Sequence, residues 1–295
     1  MRNLFLGLLL TTALLSCSKE ENSSHQKELQ KVVFNVSTFT QTNETIKSDP
    51  AEKEVNHLKY IVYKENGDYV HQIEQTREDS DFGVIHDELE AGNYYIVLGA
   101  CHANDQGYPE ISTKNEENFS ELYFGMRSEN GDNFFGITKS ITIGEETLET
   151  DLTLNRLNGK FQLSFNDKIP DNIDRVDIEL LDTRNHIYMT DYHCTHNGSN
   201  RSEGLLFTED GREKKERVFT IYSFPYESAT ARIIGYDSSN VKVFTLDIPN
   251  INIKANTITK CSGVVFKDDG TVVKSSSNLK IAFNYEWDST TEITF

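Results

Sequence analysis

The sequence is short of positive charge. Its 295 residues contain 29 lysines and arginines against 47 aspartates and glutamates, which gives a net charge of −18. Such an excess of negative charge opposes binding to the phosphates of nucleic acids and to anionic lipid headgroups. We therefore predict that the protein has no nucleic-acid partner and no membrane contact that depends on a basic patch.

Cysteines are also few, at positions Cys17, Cys101, Cys194 and Cys261. Their spacing matches no disulfide framework of small secreted domains. If Cys17 is used otherwise, as argued below, three thiols remain and at most one bridge can form. The sequence predicts no essential disulfide and leaves open whether any two of these cysteines pair. Because Cys194 lies in a polar loop, we predict that its thiol is the most reactive.

The motifs of common enzymes are missing as well. The sequence has no Gly-x-Ser-x-Gly turn, no glycine-rich phosphate loop, no His-Glu-x-x-His pair and no Asp-x-Asp-x-Asp-Gly calcium loop. Paired carboxylates, such as Glu145-Glu146, are most simply exposed turns in so acidic a chain. His193-Cys194-Thr195-His196, with His186 before it, carries zinc-type donors, but the polar surroundings favour a solvated loop. We predict that the protein is not an enzyme and holds no cofactor or metal.

One long apolar run is present, Leu4–Leu15, and it is too short to span a bilayer as a helix. It follows Arg2 and ends in Leu14-Leu15-Ser16-Cys17, an order that resembles the bacterial lipoprotein signal. The resemblance implies a signal peptide at residues 1–16 and a lipid on the Cys17 thiol. Each buried methylene contributes about 0.8 kcal/mol, so two or three acyl chains anchor a protein firmly. The alternative is an ordinary secreted protein in which Cys17 lies there by chance.

The residues directly after Cys17 indicate where in the cell the predicted lipoprotein is placed. Ser18-Lys19-Glu20-Glu21 resembles the acidic signal with which Bacteroidota send lipoproteins to the outer face of the outer membrane, and an exposed tether would also be charged. Residues 17–30 are polar and predict a flexible tether. We expect the protein to be lipid-anchored in the outer membrane and to face the cell exterior.

The remaining chain is predicted to consist of β-strands. Prolines number only five, tyrosine and phenylalanine are plentiful, and apolar and polar residues alternate at residues 31–39. Asn66-Gly67 after the strand predicted at residues 58–63 indicates a hairpin. Residues 94–100 form a continuous apolar run, which predicts a strand buried on both faces.

A second series of strands begins after residues 155–159. Its members are predicted at residues 161–165, 176–180, 218–224, 231–236, 241–248, 251–259, 263–266 and 279–287. Many short strands at such regular spacing predict β-sandwiches. We predict an N-terminal β-sandwich at residues 31–155 and a C-terminal β-sandwich at residues 156–295.

Several segments together carry a likeness to a known family. They are residues 33–37, 58–70, 81–83 leading to 89–94, 153–163 around Arg156, 167–170, 255–259 and 285–287. In their order and spacing, and with the signal at Cys17, they resemble the FimB-type family of fimbrial anchor subunits from Bacteroidia, which belong to the type V pilus system. The likeness spans nearly the whole mature chain.

The resemblance implies two tandem transthyretin-like β-sandwich domains and a function without chemistry. Its implied partners are fimbrial pilin subunits, and its implied role is to anchor a fimbrium and to help assembly or length control by strand complementation. Because anchors, shaft pilins and tip subunits share this architecture, the fold does not decide among them. A fimbrial tip or shaft subunit or adhesin stays the alternative.

The absence of arginine near the N-terminus favours an anchor. In this pilus class, shaft pilins are matured by an arginine-specific protease that removes the first strand and opens a groove for a neighbour's strand. This chain has no arginine between Arg2 and Arg77. We predict that the first strand stays attached and that the subunit cannot accept a donor strand. Residues 279–287, or the tail at residues 288–295, are the candidate donor strand.

Carbohydrate binding by a surface lipoprotein is a further hypothesis. Aromatic residues that could line a sugar-binding face are Tyr94, Tyr95, Tyr222, Phe224, Tyr226 and Trp287. Aromatic residues in strands belong more often to a hydrophobic core, and we favour that interpretation here.

Overall fold

The computed structural model describes residues 28–37, 55–102, 111–114, 116–126, 134–196, 200–273 and 280–284. These residues form an all-β protein with five sheets, and the helical elements among them are two 3-10 turns, Phe119–Glu121 and Glu209–Gly211. No helix in these ranges has the length and apolar character needed to cross a membrane. Cys17 and the predicted signal peptide lie outside the described residues.

A first β-sandwich encloses the core of the N-terminal half. Its three-stranded sheet has the order β4 (Val84–Glu90), β1 (Leu29–Ser37) and β9 (Leu148–Thr153). Its five-stranded sheet has the order β10 (Asn155–Arg156), β8 (Phe134–Ile143), β5 (Gly92–Cys101), β2 (His57–Lys64) and β3 (Tyr69–Thr76). Apolar side chains of both sheets, including Phe34, Tyr60, Ile85, Ile96 and Leu152, pack between them.

The hairpin between β2 and β3 forms where the sequence predicted it. Gly67 has a φ of +90°, a conformation that glycine adopts without strain, and its N–H donates to the Lys64 carbonyl at 2.8 Å. The Asn66 side-chain oxygen accepts from the Asp68 N–H at 3.1 Å and closes the turn. Strands β2 and β3 then pair antiparallel, from His57 opposite Thr76 onward.

A further sheet, packed as a third layer on the first sandwich, joins the two halves of the chain. We call it the bridging sheet; it has the order β14 (Cys194–Thr195), β13 (His186–Tyr188), β7 (Tyr123–Met126) and β6 (Ile111–Lys114). Tyr188 of β13 lies opposite Tyr123 of β7, so strands from both sides of residue 155 share one sheet. Its inner face packs against the outer face of the five-stranded sheet, where Phe124 and Ile187 contact a cluster that includes Ile61 and Val97.

This packing explains the continuous apolar run of β5. Ile96 and Leu98 point into the first sandwich, whereas Val97 points toward the bridging sheet, and all three are buried. The prediction of a strand covered on both faces is therefore confirmed. Gly99 is required at the second interface, because a Cβ there would lie 2.3 Å from the Phe124 ring.

A second β-sandwich contains the rest of the described chain. One sheet has the order β16 (Arg217–Ser223), β11 (Gly159–Phe165), β19 (Ile258–Ser262) and β20 (Lys280–Asn284). The other has the order β15 (Arg201–Leu206), β12 (Arg175–Leu180), β17 (Tyr226–Tyr236) and β18 (Lys242–Ile253). Its core includes Phe161, Leu163, Ile178, Ile233 and Phe219.

Some predicted strands are wrong in detail. The strand predicted at residues 251–259 is broken between β18 and β19, because Asn256 has a φ of +51° and turns the chain. Residues 263–266 are not a strand, although Phe266 forms an isolated bridge with Val272. Strands β13 and β15 were not predicted, because both lie in polar segments whose pairing partners are distant in sequence.

The division of the chain near residue 155 stays a prediction. The first and second sandwiches have separate cores, and a third apolar cluster lies between the five-stranded sheet and the bridging sheet. Because this third cluster draws Leu122 and Ile187 from opposite sides of residue 155, the two halves are joined by more than the linker.

Candidate functional site

The first strand is the candidate site, because the prediction of an anchor depends on whether this strand stays in the folded chain. Strand β1 occupies the centre of the three-stranded sheet, antiparallel to β4 and parallel to β9. Val32 and Phe34 point inward and are 0% exposed. The groove that a neighbour's strand would need is therefore filled by the chain's own residues.

Further hydrogen bonds fix the far end of β1. The Val36 N–H donates to the Gly83 carbonyl at 2.7 Å, and the Leu154 N–H donates to the Ser37 carbonyl at 2.8 Å. On the outer face, the Asn35 amide donates to the Asp151 carboxylate at 3.1 Å. Strand β1 is thus held on its β4 side and on its β9 side.

A buried carboxylate ties the neighbouring strand β4 to the opposite sheet. Asp87, whose side chain is 6% exposed, accepts from Tyr60 Oη at 3.0 Å and pairs with His71 Nε2 at 2.9 Å. Burial acts to raise the pKa of Asp87, but the hydrogen bond and charge of His71, together with bonds from the Glu88 N–H and Tyr60, lower it below the usual value. Burial and the nearby Asp87 charge raise the pKa of Tyr60. No sequence motif pointed to this trio.

Cleavage after Arg77, the first arginine after Arg2, would not leave an empty groove at the position of β1 alone. Arg77 is exposed in the turn after β3, and its N–H donates to the Asn56 carbonyl at 2.9 Å. Cleavage there would separate β1, β2 and β3 from the rest of the chain. Since β2 lies between β3 and β5, this would dismantle the five-stranded sheet rather than vacate the position of β1.

The described part of the predicted donor strand is already paired. Strand β20 lies at the edge of its sheet and runs antiparallel to β19, with Asn284 opposite Ile258 and Lys280 opposite Ser262. Residues 279 and 285–295, which complete the two candidate donor segments, lie outside the described residues. An edge strand with one neighbour leaves a sheet at lower cost than a central strand does.

The three cysteines of the described chain form no disulfide, and Cys101 and Cys261 are buried. Cys194 is partly covered: its Sγ lies 3.5 Å from the Tyr192 carbonyl, and burial raises the pKa of its thiol to about 12. Cys194 therefore has more cover than its polar loop predicted, yet it is the most exposed of the three thiols, and its higher reactivity stays a prediction. The lipid site predicted at Cys17 stays a prediction.

The histidines at residues 186, 193 and 196 were considered above as possible zinc ligands. Among the described residues, no three histidines, cysteines or acidic residues are placed to hold a metal ion. His193 Nδ1 instead lies 2.5 Å from Asp191 Oδ1, a hydrogen bond that holds the pKa of Asp191 below its usual value. Part of the segment predicted as a solvated loop is strand β14.

Of the aromatic residues considered for sugar binding, the described ones belong mostly to the core. Tyr94, Tyr222 and Phe224 are buried, Tyr95 stacks on Phe119 at 4.8 Å, and Tyr226 packs against the core of the second sandwich. Trp287 lies outside the described residues. The preference for a core role is thus confirmed for the buried residues.

A different set of rings lines the outer face of the bridging sheet. We call it the aromatic row: His186, Tyr123, Tyr188 and His193, with successive ring centroids 4.5, 5.5 and 4.1 Å apart. All four are at least partly exposed, and the His193 side chain is 51% exposed. The sequence did not indicate the aromatic row, because the row forms only when β7 pairs with β13.

Comparison with known proteins agrees with this architecture. Among the solved structures of similar fold is a candidate adhesin from Bacteroides thetaiotaomicron, with 14% identity, a TM-score of 0.56 and coverage of 86% of this chain and 96% of that chain. The fimbrial anchor protein Mfa2 from Porphyromonas gingivalis has 13% identity, a TM-score of 0.54 and coverage of 87% of this chain and 97% of that chain. A candidate polysaccharide-binding protein from B. thetaiotaomicron has 11% identity, a TM-score of 0.54 and coverage of 88% of this chain and 96% of that chain. At these identities the likeness shows the fold alone.

Sequence comparison shows the family. No curated protein sequence matches the chain. The family described as fimbrillin-A associated anchor proteins Mfa1 and Mfa2 matches residues 31–293, which is nearly the whole segment after the predicted tether. The chain therefore belongs to this family of fimbrial anchor proteins.

Proposed function

We propose that this chain is a non-enzymatic lipoprotein of the outer membrane, attached through acyl chains on Cys17 and facing the cell exterior. In this proposal it anchors a fimbrium to the cell and helps assembly or length control through strand complementation with pilin subunits. Membership of the fimbrial anchor family supports the general role. The finer role is argued from strand β1.

The observation that carries the proposal is the central position of β1. Removing a strand that lies between β4 and β9 would uncover the inward-facing positions now filled by Val32 and Phe34. Burying each such side chain contributes about 1.5–3 kcal/mol, so the strand does not leave spontaneously. A subunit with this groove filled cannot accept a neighbour's strand and ends the row of subunits.

The same strand leads back toward the membrane. Residues 18–28 separate Cys17 from the start of β1, so a lipid on Cys17 holds β1 close to the bilayer surface. An arginine-specific protease finds no arginine between Cys17 and β1 or in residues 38–54. Tether and first strand thus stay in one chain, as an anchor requires.

A deletion strain tests the anchoring role. We expect loss of this protein to release fimbriae into the medium or to change their length, as seen by electron microscopy and by assay of shed fimbriae. Complementation with the wild type should restore attachment, whereas Cys17→Ala should not. Fatty-acid labelling of the wild type and not of Cys17→Ala tests the lipid separately. Normal, firmly attached fimbriae in the deletion strain would contradict the anchor role.

An introduced arginine tests the premise about β1. Lys47 lies in the segment between β1 and β2, where a cut would separate β1 from the rest of the chain. Lys47→Arg introduces the residue that such a protease requires and should allow removal of β1, and Lys47→Gln is the matched control. We expect N-terminal sequencing of surface protein to find β1 retained in the wild type and in Lys47→Gln. A wild-type N-terminus beyond Ser37 would contradict the premise.

The aromatic row favours a second candidate function, binding of an uncharged carbohydrate. Stacked rings on an exposed sheet face suit the apolar face of a sugar ring, and the acidic surface disfavours polyanions. One relative of similar fold is described as a candidate polysaccharide-binding protein. On a glycan array, Tyr188→Ala should weaken binding by up to about tenfold, and Tyr236→Ala, on the second sandwich, should not. Absence of any glycan signal from the wild type would exclude this candidate.

A further inference from the structure

The directions of the strands around β1 determine how the molecule responds to tension. The start of β1 lies beside Glu90 of β4 and, through Val32, beside Leu148 at the start of β9. Because β1 and β9 are parallel, the end of β9 lies at the other end of the sheet, where Thr153 faces Ser37. The chain leaves the first sandwich from that far end.

Tension applied between the start of β1 and the end of β9 therefore acts along the two strands. A pull on the tether draws the start of β1 one way, and a pull on the second half draws the end of β9 the opposite way. The hydrogen bonds between β1 and β9 then resist together, because none can break without the strands sliding past each other. A pull that separates two neighbouring strand ends would instead break the bonds one after another.

We propose that β1 and β9 form a mechanical clamp that holds the first sandwich closed when the protein is pulled between its N-terminal tether and its second half. The biological use of the clamp rests on the proposed anchoring function, since an anchor carries the tension on a fimbrium to the membrane. The clamp itself is a property of the folded chain and exists whether or not a fimbrium is bound.

Side chains strengthen the clamp against sliding. Sliding would drag Val32 and Phe34 out of fitted core positions, which costs packing contacts as well as hydrogen bonds. The Asn35–Asp151 bond joins β1 to β9 on the outer face at 3.1 Å. On the other side of β1, the Asp87–Tyr60 bond fixes β4 to the five-stranded sheet, so β4 cannot move with β1.

The far end of β9 is itself secured. Directly after β9, Asn155 and Arg156 pair with Gly136 and Phe135 of β8. The Arg156 guanidinium lies 4.6 Å from the centre of the Phe135 ring. Force that enters from the second half is therefore passed to the five-stranded sheet as well as to β9.

Single-molecule force spectroscopy on the whole mature chain tests the proposal. One handle is a peptide tag ahead of residue 18; the second is a bio-orthogonal side chain placed either at Asn155 or at Glu145. Asn155 follows the end of β9, so that pair of handles slides β1 along β9. Glu145 lies in the exposed turn before β9, at the end where β1 starts, so that pair peels the strands apart.

We expect the first rupture in the sliding geometry to need at least about twice the force of the peeling geometry, because many hydrogen bonds share the load in one case and few in the other. Equal thermal unfolding midpoints of the two handle-bearing proteins ensure that both are folded. Equal rupture forces, or a weaker sliding geometry, would overturn the proposal. Neither result bears on fimbrial attachment in cells, which the deletion strain tests.

A point variant checks that the resistance arises between β1 and β9. Asn35→Ala removes the outer-face bond to Asp151. Asn93→Ala removes an amide–carboxylate bond of the same length, to Glu65, together with a bond accepted from the Thr142 hydroxyl, all away from β1. Asn35→Ala should lower the rupture force in the sliding geometry, and Asn93→Ala should leave it unchanged. Equal effects of the two variants would place the resistance elsewhere.

Discussion

The two terminal strands of the described chain are held in opposite ways. Strand β1 has a neighbour on each side and points Val32 and Phe34 into a closed core. In the part of the chain that the structure describes, strand β20 is shorter, lies at a sheet edge and pairs with β19 alone. The first strand is therefore part of the structural framework, whereas the last strand is an addition to it.

The directions of the strands reinforce the contrast. The end of β20, Asn284, lies opposite Ile258, which lies opposite Lys160 near the point where the chain enters the second sandwich. Tension between that entry point and the C-terminal tail therefore peels β20 from one end. The comparison teaches that one molecule can keep its first strand fixed and yet hold its last strand in a position from which it can be released.

The largest expected effect comes from deleting each terminal strand in turn. Removal of residues 29–37 should abolish cooperative folding of the first sandwich, because Val32 and Phe34 each contribute about 1.5–3 kcal/mol by burial and two sheet edges are exposed. Truncation after Val273, which removes β20, should leave a folded protein with a lower melting temperature. Circular dichroism during heating measures both.

A peptide supplied separately sharpens that test. A synthetic peptide of residues 29–37 should restore the melting transition of the first deletion. A peptide with aspartate in place of Val32 and Phe34 is the matched control and should not restore it. If the truncated protein unfolds while the first deletion stays folded, the contrast between the two strands is reversed.

The next effect concerns one side chain of β1. Phe34→Ala should lower the free energy of unfolding by about 3–5 kcal/mol, because it leaves a cavity in the core of the first sandwich. Asn35→Ala, the neighbour on the outer face, should cost less than about 1.5 kcal/mol. Urea denaturation of both variants measures the difference. Equal losses would mean that β1 is not held mainly by its inner face.

A smaller effect depends on pH and on the carboxylate that fixes β4 beside β1. Because the folded pKa of Asp87 lies below the unfolded value, its stabilisation is present above about pH 4 and is lost as the pH falls further. Asp87→Asn should therefore cost about 1.5–3 kcal/mol near pH 6 and progressively less toward pH 3. The exposed neighbour Glu88→Gln is the control. A cost for Asp87→Asn that does not change with pH would contradict this account.

The smallest effect is a local opening beside β20. Cys261 of β19 is buried opposite Ile281, and burial raises the pKa of its thiol to about 12, so alkylation at neutral pH should be slow. Truncation after Val273 should accelerate it by about tenfold, equal to about 1.4 kcal/mol in the free energy of local opening. Mass spectrometry should find Cys101, in the five-stranded sheet, unchanged. Equal acceleration at Cys101 would indicate a general loss of stability instead.

Local patterns in the sequence determined most of the strands. Alternation of apolar residues predicted β1 to within two residues at each end, and Asn66-Gly67 predicted a hairpin that the structure confirms. The apolar run of β5 predicted burial on both faces, although not what covers the second face. These features depend on the side-chain period and turn chemistry of a few adjacent residues, which a sequence displays directly.

Partners and directions of the strands were decided by the tertiary structure. The sequence did not show that β7 pairs with β13 across residue 155, that Asp87 meets Tyr60 and His71 between two sheets, or that β9 runs parallel to β1. Periodicity shows which face of a strand is buried, but any strand of the same pattern offers the same backbone groups for pairing. The choice depends on how all the sheets close around their cores together, and this collective packing alone fixed β1 at the centre of its sheet and β20 at an edge.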